Sequence, residues 1–157
     1  MRVGFGFDAH QLVEGATFTL GGVTIPHYKG AVGHSDADTL VHAICDALLG
    51  AANLGDIGLH FPDTDPAIKG IDSKILLQKV IQLIAQKNYR IVNIDATVCL
   101  QQPKIRPFIP QMQETLAGVT SINVEDISIK ATTTEKMGFT GREEGVSAYA
   151  VVLIEKF

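Results

Sequence analysis

Asp8, His10 and His42 are the residues of this chain whose types and spacing most directly permit chemistry. Zinc accepts imidazole nitrogen and carboxylate oxygen, and a catalytic zinc typically has three protein ligands and one exchangeable position. Asp8 and His10 follow an alternating apolar run, Val3-x-Phe5-x-Phe7, that reads as a strand. If extended backbone continues to residue 10, the two side chains project to the same side. His42 lies in an amphipathic helical pattern and offers a third ligand from a second rigid element. An Asp-x-His pair on its own is common and equally compatible with no ion at all, so the surrounding residues decide.

Two further clusters carry polar chemistry. His34-Ser35 falls where a first helix is expected to begin, and exposed amides with the positive end of a helix dipole favour an anion such as phosphate. Asp36 and Asp38 would oppose an anion there unless they point away, and the plainer alternative is that Ser35 only caps the helix. Thr132, Thr133 and Thr134 place three hydroxyls beside Glu135 and Lys136. Such a run can be a β-prone edge and nothing more. Next to a carboxylate it could instead hold phosphate oxygens while Glu135 takes a hard divalent cation. No Walker motif, GxGxxG or GxSxG is present, and neither cysteine has an activating context. Metal-assisted chemistry on a phosphate-bearing ligand uses the most clusters at once.

These residues must be positioned by a modest set of elements. Residues 2–7 read as a strand, and Phe18–Leu20 and Val23–Ile25 as a hairpin around Gly21-Gly22. Gly30 to Gly33 reads as a loop. A helix is expected from Ser35 or Asp36 to about Asn53, with Leu40, Ile44, Leu48 and Leu49 as its apolar stripe. Asp38, His42 and Asp46 form a second, polar stripe; a solvated face would explain the acids better than the histidine. Gly55 to Pro66 reads as a loop rich in Gly, Asp and Pro, of a length that in compact domains is often functional. Asp72 or Ser73 caps a second helix with Ile75, Leu76, Val80, Leu83 and Ile84 inward. Ile94 to Leu100 is a strand, and Pro103 and Pro107 precede a third helix bearing Phe108, Met112 and Leu116. Strands at Ile127–Ala131 and Val146–Ile154 flank a glycine-punctuated loop, Gly138 to Gly145. The expected fold is one α+β domain: a mixed sheet with helices packed on one face.

The 157 residues suffice for one domain with a full core. A net charge of −4, with no basic run, argues against nucleic acid as the main partner. Cys45 and Cys99 are far apart and outside any CxxC, as expected of reduced thiols in the cytoplasm. Met1-Arg2 runs directly into the first strand, with no signal-peptide pattern. No apolar run approaches the roughly 20 residues of a membrane span.

Four separated segments carry a specific resemblance: Gly6-Phe7-Asp8-Ala9-His10, Gly33 to Asp38, Gly55-Asp56-Ile57-Gly58 with Phe61-Pro62-Asp63, and Lys130 to Arg142. Together they resemble the 2-C-methyl-D-erythritol 2,4-cyclodiphosphate synthases of the non-mevalonate isoprenoid pathway. The resemblance implies an enzyme that converts 4-diphosphocytidyl-2-C-methyl-D-erythritol 2-phosphate to the cyclic diphosphate and CMP. It implies zinc on Asp8, His10 and His42, and a second divalent ion, magnesium or manganese, on Glu135. His34 and Thr133 would stabilise the transition state. Substrate would meet Asp8, Ala9, His10, His34 and Ser35, and its methylerythritol part would lie against Asp56, Ile57, Gly58, Phe61, Pro62, Asp63, Thr64 and Asp65. The cytidine and diphosphate side would use Leu100, Gln101, Gln102, Pro103, Lys104, Ile105 and Arg106 with Ala131, Thr132, Thr133, Thr134 and Glu135, and with Phe139 and Arg142 nearby. A homotrimer with active sites between neighbours is implied, as is a central channel near Phe7, Phe139, Arg142 and Glu144 able to hold an isoprenoid diphosphate.

Two positions depart from the family pattern. Arg106 stands where a small or apolar residue is usual, and Glu143 stands where glycine is common and would add acid beside Arg142. Two rival readings remain at this level. One is a zinc phosphohydrolase acting on a nucleotide diphosphate; the other is a non-catalytic nucleotide- or isoprenoid-binding module with a structural metal.

Overall fold

A computed structural model describes all 157 residues. Its main sheet has five strands in the order β4-β1-β7-β5-β6. These are β1 (Arg2–Glu14), β4 (Lys29–Val32), β5 (Tyr89–Cys99), β6 (Ile127–Thr132) and β7 (Gly145–Lys156). Only β5 and β6 run parallel, joined by a crossover through α4 (Ile109–Thr120); the other pairings are antiparallel. The short hairpin β2 (Phe18–Leu20) and β3 (Val23–Ile25) forms a separate ribbon. The sheet is therefore mixed, as expected.

Strand alternation divides the sheet into two unlike faces. Val146, Ala148, Ala150, Val152 and Ile154 of β7 are buried on the inner face, with Ile94, Ala96 and Val98 of β5 and Ile127 and Ile129 of β6. Ile91 also faces inward although it lies three residues before Ile94, because a bulge between Ile91 and Asn93 resets the alternation. On the outer face Val3, Phe5, Phe7, Tyr149 and Val151 stay exposed, with Phe7 and Tyr149 ring centres 5.0 Å apart.

The central helix α1 (Thr39–Ala51) packs directly on β1 and β7 and is backed by α3 (Ser73–Gln86). Its stripe of Leu40, Ile44, Leu48 and Leu49 is fully buried, but so are Val41, Ala43, Cys45 and Ala47. A helix apolar nearly all round is a core helix, which explains its position between two layers. Gly4 and Gly6 make the close seating possible. A Cβ on either would fall 1.8 or 1.9 Å from the Ala47 or Ala43 carbonyl oxygen, respectively.

Several local expectations are corrected. The first strand does not stop at residue 7 but runs to Glu14, so Asp8 and His10 sit inside regular strand. Gly30 to Val32, expected as loop, lies in β4 and pairs with Gln11–Val13. Helix α1 begins at Thr39, capped by Asp38 through the Val41 amide at 3.0 Å, and not at Ser35 or Asp36. The loop after it contains one helical turn, α2 (Ile57–His60), capped by Asp56. Ile75 faces solvent at 43% exposure, because the inward positions of α3 are Leu76, Leu77, Val80 and Ile84. A short turn, α5 (Gly138–Gly141), interrupts the last loop. No helix is long and apolar enough to cross a membrane.

Candidate metal centre

With β1 extended to Glu14, Gly4, Gly6, Asp8, His10 and Leu12 share its inner side. The two glycines admit α1, and just beyond them the strand presents Asp8 and His10 to His42 on the first turn of that helix. Asp8 Oδ2 lies 2.9 Å from His10 Nε2 and 3.0 Å from His42 Nδ1, and the two nitrogens are 3.1 Å apart. These three atoms form the only cluster of at least three such donors in the chain. Tetrahedral ligands with bonds of about 2.0–2.1 Å stand roughly 3.3 Å from one another. The observed triangle is thus close to one face of such a shell, and the residues fit a zinc-like divalent ion.

The other nitrogens of both rings are occupied, which fixes their orientation. His10 Nδ1 donates to the Val32 carbonyl at 3.0 Å. His42 Nε2 faces the hydroxyls of Ser73 at 2.8 Å and Ser35 at 3.0 Å. With an ion bound, each imidazole would turn the lone pair of its remaining nitrogen toward that ion beside Asp8, the arrangement a metal ligand needs. Gly33 completes the fit: a Cβ there would meet His10 Cε1 at 2.7 Å.

Charge is distributed consistently. Burial by itself raises the Asp8 carboxyl, but hydrogen bonds and charge from His10 and His42 together outweigh it and hold Asp8 below its ordinary range. Burial lowers His10, yet the bond to Asp8 and its charge prevail and raise it.

The polar stripe of α1 is not a solvated face. Asp38 is fully buried and accepts from the amides of Gly21, Gly22 and Val41. Asp46 accepts from the Ile57 amide at 2.8 Å, tying α1 to α2; burial raises its carboxyl. Asp36 turns to the Ser73 amide and hydroxyl. Asp36 and Asp38 thus point away from His34-Ser35, but that pair is not at a helix N-terminus, which removes the dipole argument for an anion there.

A cavity of about 310 Å³ adjoins the three ligands. It gathers His34, Ser35, Ile57, Gly58, Phe61 and Asp63 beside Asp8, His10 and His42. Asp56 and Asp65 are drawn into structural bonds, to the Leu59 and Ala67 amides, and His34 Nε2 is 3.3 Å from the Asp65 carbonyl. A second hollow of about 180 Å³ is formed by Leu100, Pro103, Lys104, Ile105 and Arg106 against Ala131, Thr132 and Thr133. The two hollows share no residue. Glu135 lies exposed beside the second, its carboxylate 3.3 Å from the Thr133 hydroxyl and its φ at 52°. Gln101 accepts from the Lys136 amide, and Thr134 donates to the Met137 carbonyl.

Phe139 borders a third hollow, with Ala9, Gln11 and Glu144. Arg142 pairs with Glu144 through two bonds of 2.9 and 3.1 Å. Glu143 takes no part in the two bonds of this pair. Its φ of 57° turns it toward Tyr28, and its carbonyl accepts from Lys29 Nζ.

Sequence reasoning missed Ser73, Asp36 and Gly33 as supports of the metal centre. Ser73 read as one of two candidate caps; Asp72 takes that role through the Lys74 amide, and the Ser73 hydroxyl reaches Asp36 and His42 instead.

Comparison with known proteins agrees with this geometry. The chain is 67% identical over 156 residues to the 2-C-methyl-D-erythritol 2,4-cyclodiphosphate synthase of Bacteroides thetaiotaomicron, covering 99% of this chain and 98% of that one. It matches a solved 2C-methyl-D-erythritol-2,4-cyclodiphosphate synthase in its CDP-bound form at TM-score 0.91 and 36% identity, over 98% and 100% of the two chains. It matches the bifunctional IspDF of Campylobacter jejuni at TM-score 0.96 and 40% identity, over 99% of this chain but 42% of that longer one. The YgbB family model matches residues 1–155, and the chain belongs to that family.

Proposed function

We propose that this chain converts 4-diphosphocytidyl-2-C-methyl-D-erythritol 2-phosphate to 2-C-methyl-D-erythritol 2,4-cyclodiphosphate and CMP. The observation that carries the reading is the Asp8, His10 and His42 triangle at the rim of a polar cavity. A 2-phosphate oxygen attacks the β-phosphorus; the bond from that phosphorus to the oxygen shared with the α-phosphate breaks, and CMP leaves with its electrons. The attacking group is already an anion, so a serine, cysteine or strong base is unnecessary. The chemistry demands in-line placement and charge neutralisation.

Zinc on Asp8, His10 and His42 would supply Lewis-acid stabilisation of phosphate charge, with magnesium or manganese on Glu135 as a second source. His34 lines the cavity and Thr133 the nucleotide-side hollow, where each would donate to oxygens that gain charge. Ser35, Ile57, Gly58, Phe61 and Asp63 would hold the methylerythritol portion. Lys104, Arg106 and the neighbouring backbone would hold the cytidine diphosphate portion.

Within one chain the hollow of Asp8, His10 and His42 and that of Lys104, Thr132 and Thr133 are separate. The active unit we infer is a homotrimer in which neighbours bring the two together. The exposed Val3, Phe5, Phe7, Tyr149 and Val151 face supplies an apolar surface for that contact. A trimer would also join three copies of the Phe139, Arg142 and Glu144 region into a channel that could accept an isoprenoid diphosphate. Two free thiols and no membrane-crossing helix accord with a cytoplasmic enzyme.

Phosphorus NMR of the products tests the reaction. A cyclic diphosphate with one equivalent of CMP is expected. An open-chain phosphate product would instead assign a metal-dependent hydrolase.

A further inference from the structure

We propose that Ser73 and Asp36 are positioning residues for the metal centre, acting through His42. The inference rests on the reading of Asp8, His10 and His42 as metal ligands. The Ser73 hydroxyl donates to an Asp36 carboxylate oxygen, so its lone pairs face the other way. There His42 Nε2 lies 2.8 Å from Ser73 Oγ, and because the Ser73 proton is committed to Asp36 the ring nitrogen is assigned as the donor. The chain of donors is directed: His42 Nε2–H to Ser73 Oγ, and Ser73 Oγ–H to Asp36. A ring that carries its proton on Nε2 leaves Nδ1 unprotonated, and Nδ1 is the atom 3.0 Å from Asp8 and 3.1 Å from His10 Nε2. Carboxylate partners to metal-binding histidines fix the tautomer in this way; here a hydroxyl is inserted between ring and carboxylate.

Asp36 is itself held in place. Its second oxygen accepts from the Ser73 amide at 3.0 Å, and the first accepts from the Asp38 amide at 3.2 Å. Ser73 is the first residue of α3, so the relay also docks that helix against the ligand.

Ser35 offers His42 Nε2 a second acceptor at 3.0 Å, but the two serines are placed differently. Ser35 lines the cavity and is open to a ligand, whereas Ser73 is fully buried and outside the cavity wall. Ser73 can therefore hold the ring constantly while Ser35 exchanges partners.

The test is zinc affinity by chelator competition in Ser73→Ala and Asp36→Asn, scored per folded molecule, together with the His42 tautomer by nitrogen-15 NMR. In wild type the Nε2–H tautomer should dominate in the metal-free protein. Ser73→Ala should weaken zinc by on the order of 10- to 100-fold and mix the tautomers. Asp36→Asn should shift both readouts the same way, to a smaller extent, and carries the test if Ser73→Ala does not fold. A merely structural role would lower stability but leave tautomer and affinity alone, and that outcome overturns the proposal. His42→Ala separates the two readings: if it retains full zinc, the ligand assignment fails, whatever the serine does.

Discussion

Gly6 sits against Ala43 so closely that a Cβ on the glycine would fall 1.9 Å from the Ala43 carbonyl oxygen. One residue before Ala43 on α1 is His42, and two residues after Gly6 on β1 is Asp8. The contact that seats the helix on the strand therefore also sets the distance between two metal ligands. Gly6→Ala should force the helix outward, because backbone lies on both sides and no flexible side chain can yield. Overpacking typically costs about 1–3 kcal/mol, and this site should lie at the upper end. Urea unfolding and zinc content are the measurements. Wild-type stability with full zinc would contradict the seating argument.

Acidity should weaken the metal centre earlier than an ordinary histidine would. In the metal-free protein burial lowers His10, but Asp8 outweighs burial and raises it above 6.5. Zinc needs the neutral ring, so proton and metal compete at His10, and affinity should begin to fall above pH 6.5. The sign for metal-free stability runs the other way at this residue. The raised His10 stabilises the fold fully below 6.5 and loses that contribution as pH rises through its folded value. The lowered Asp8 contributes above 3.8 and loses its share as pH falls through its own folded value. The pair is thus strongest between those limits. Zinc affinity that stays flat from pH 8 down to 6.5 would contradict this.

Much of the metal centre was legible because its chemistry is written in residue types. Asp8, His10 and His42 needed only one strand and one helix to meet. The sheet and the α1 stripe were legible from period-2 and period-3.6 patterns. The end of β1 was not, since Asp8-Ala9-His10 breaks the apolar alternation where the strand carries function instead of core. β4 was hidden because Lys29-Gly30-Ala31-Val32 has glycine where a Cβ would meet the Ala16 and Thr17 backbone. Ser73 could not be found by spacing at all. It reaches His42 across 31 residues, by the packing of α3 on α1.

Glu143 adopts a left-handed conformation, φ 57°, that glycine enters without penalty. The strain for an L-residue is about 1–2 kcal/mol, and the extra unfolded freedom of glycine offsets about 0.4–1 kcal/mol. The lost Tyr28 contact is long, at 3.5 Å. Glu143→Gly should therefore stabilise the chain slightly and leave the Arg142–Glu144 pair intact. A clear drop in thermal midpoint would show that the Tyr28 contact of the Glu143 carboxylate matters more than the backbone strain, since the Lys29 bond to the Glu143 carbonyl is kept in the glycine variant.

Glu135 is the carboxylate beside the Thr133 hydroxyl, away from the Asp8, His10 and His42 cluster. Glu135→Gln should keep zinc while demanding much more magnesium or manganese for turnover. Unchanged dependence on the second metal would place that ion elsewhere.

Assembly gives the most discriminating prediction, because the hollow lined by Asp8, His10 and His42 and the hollow lined by Lys104, Thr132 and Thr133 share no residue within one chain. A cyclic trimer repeats one heterologous contact three times and closes. Each site would then join Asp8, His10 and His42 of one chain to Lys104 and Thr132 to Glu135 of the next. His42→Ala should lose zinc yet keep its fold, since Leu40, Ile44, Leu48 and Leu49 remain buried on α1. Thr133→Val should damage only the nucleotide side. When the two inactive proteins are denatured, mixed equally and refolded, about one in four random pairings combines the intact halves. Roughly a quarter of wild-type activity should return if sites act independently. Sites built within single chains would each retain a lesion, and mixing would restore nothing. A mixture as inactive as its parents, with subunit exchange proven and each mutation alone abolishing activity, would therefore end the shared-site reading.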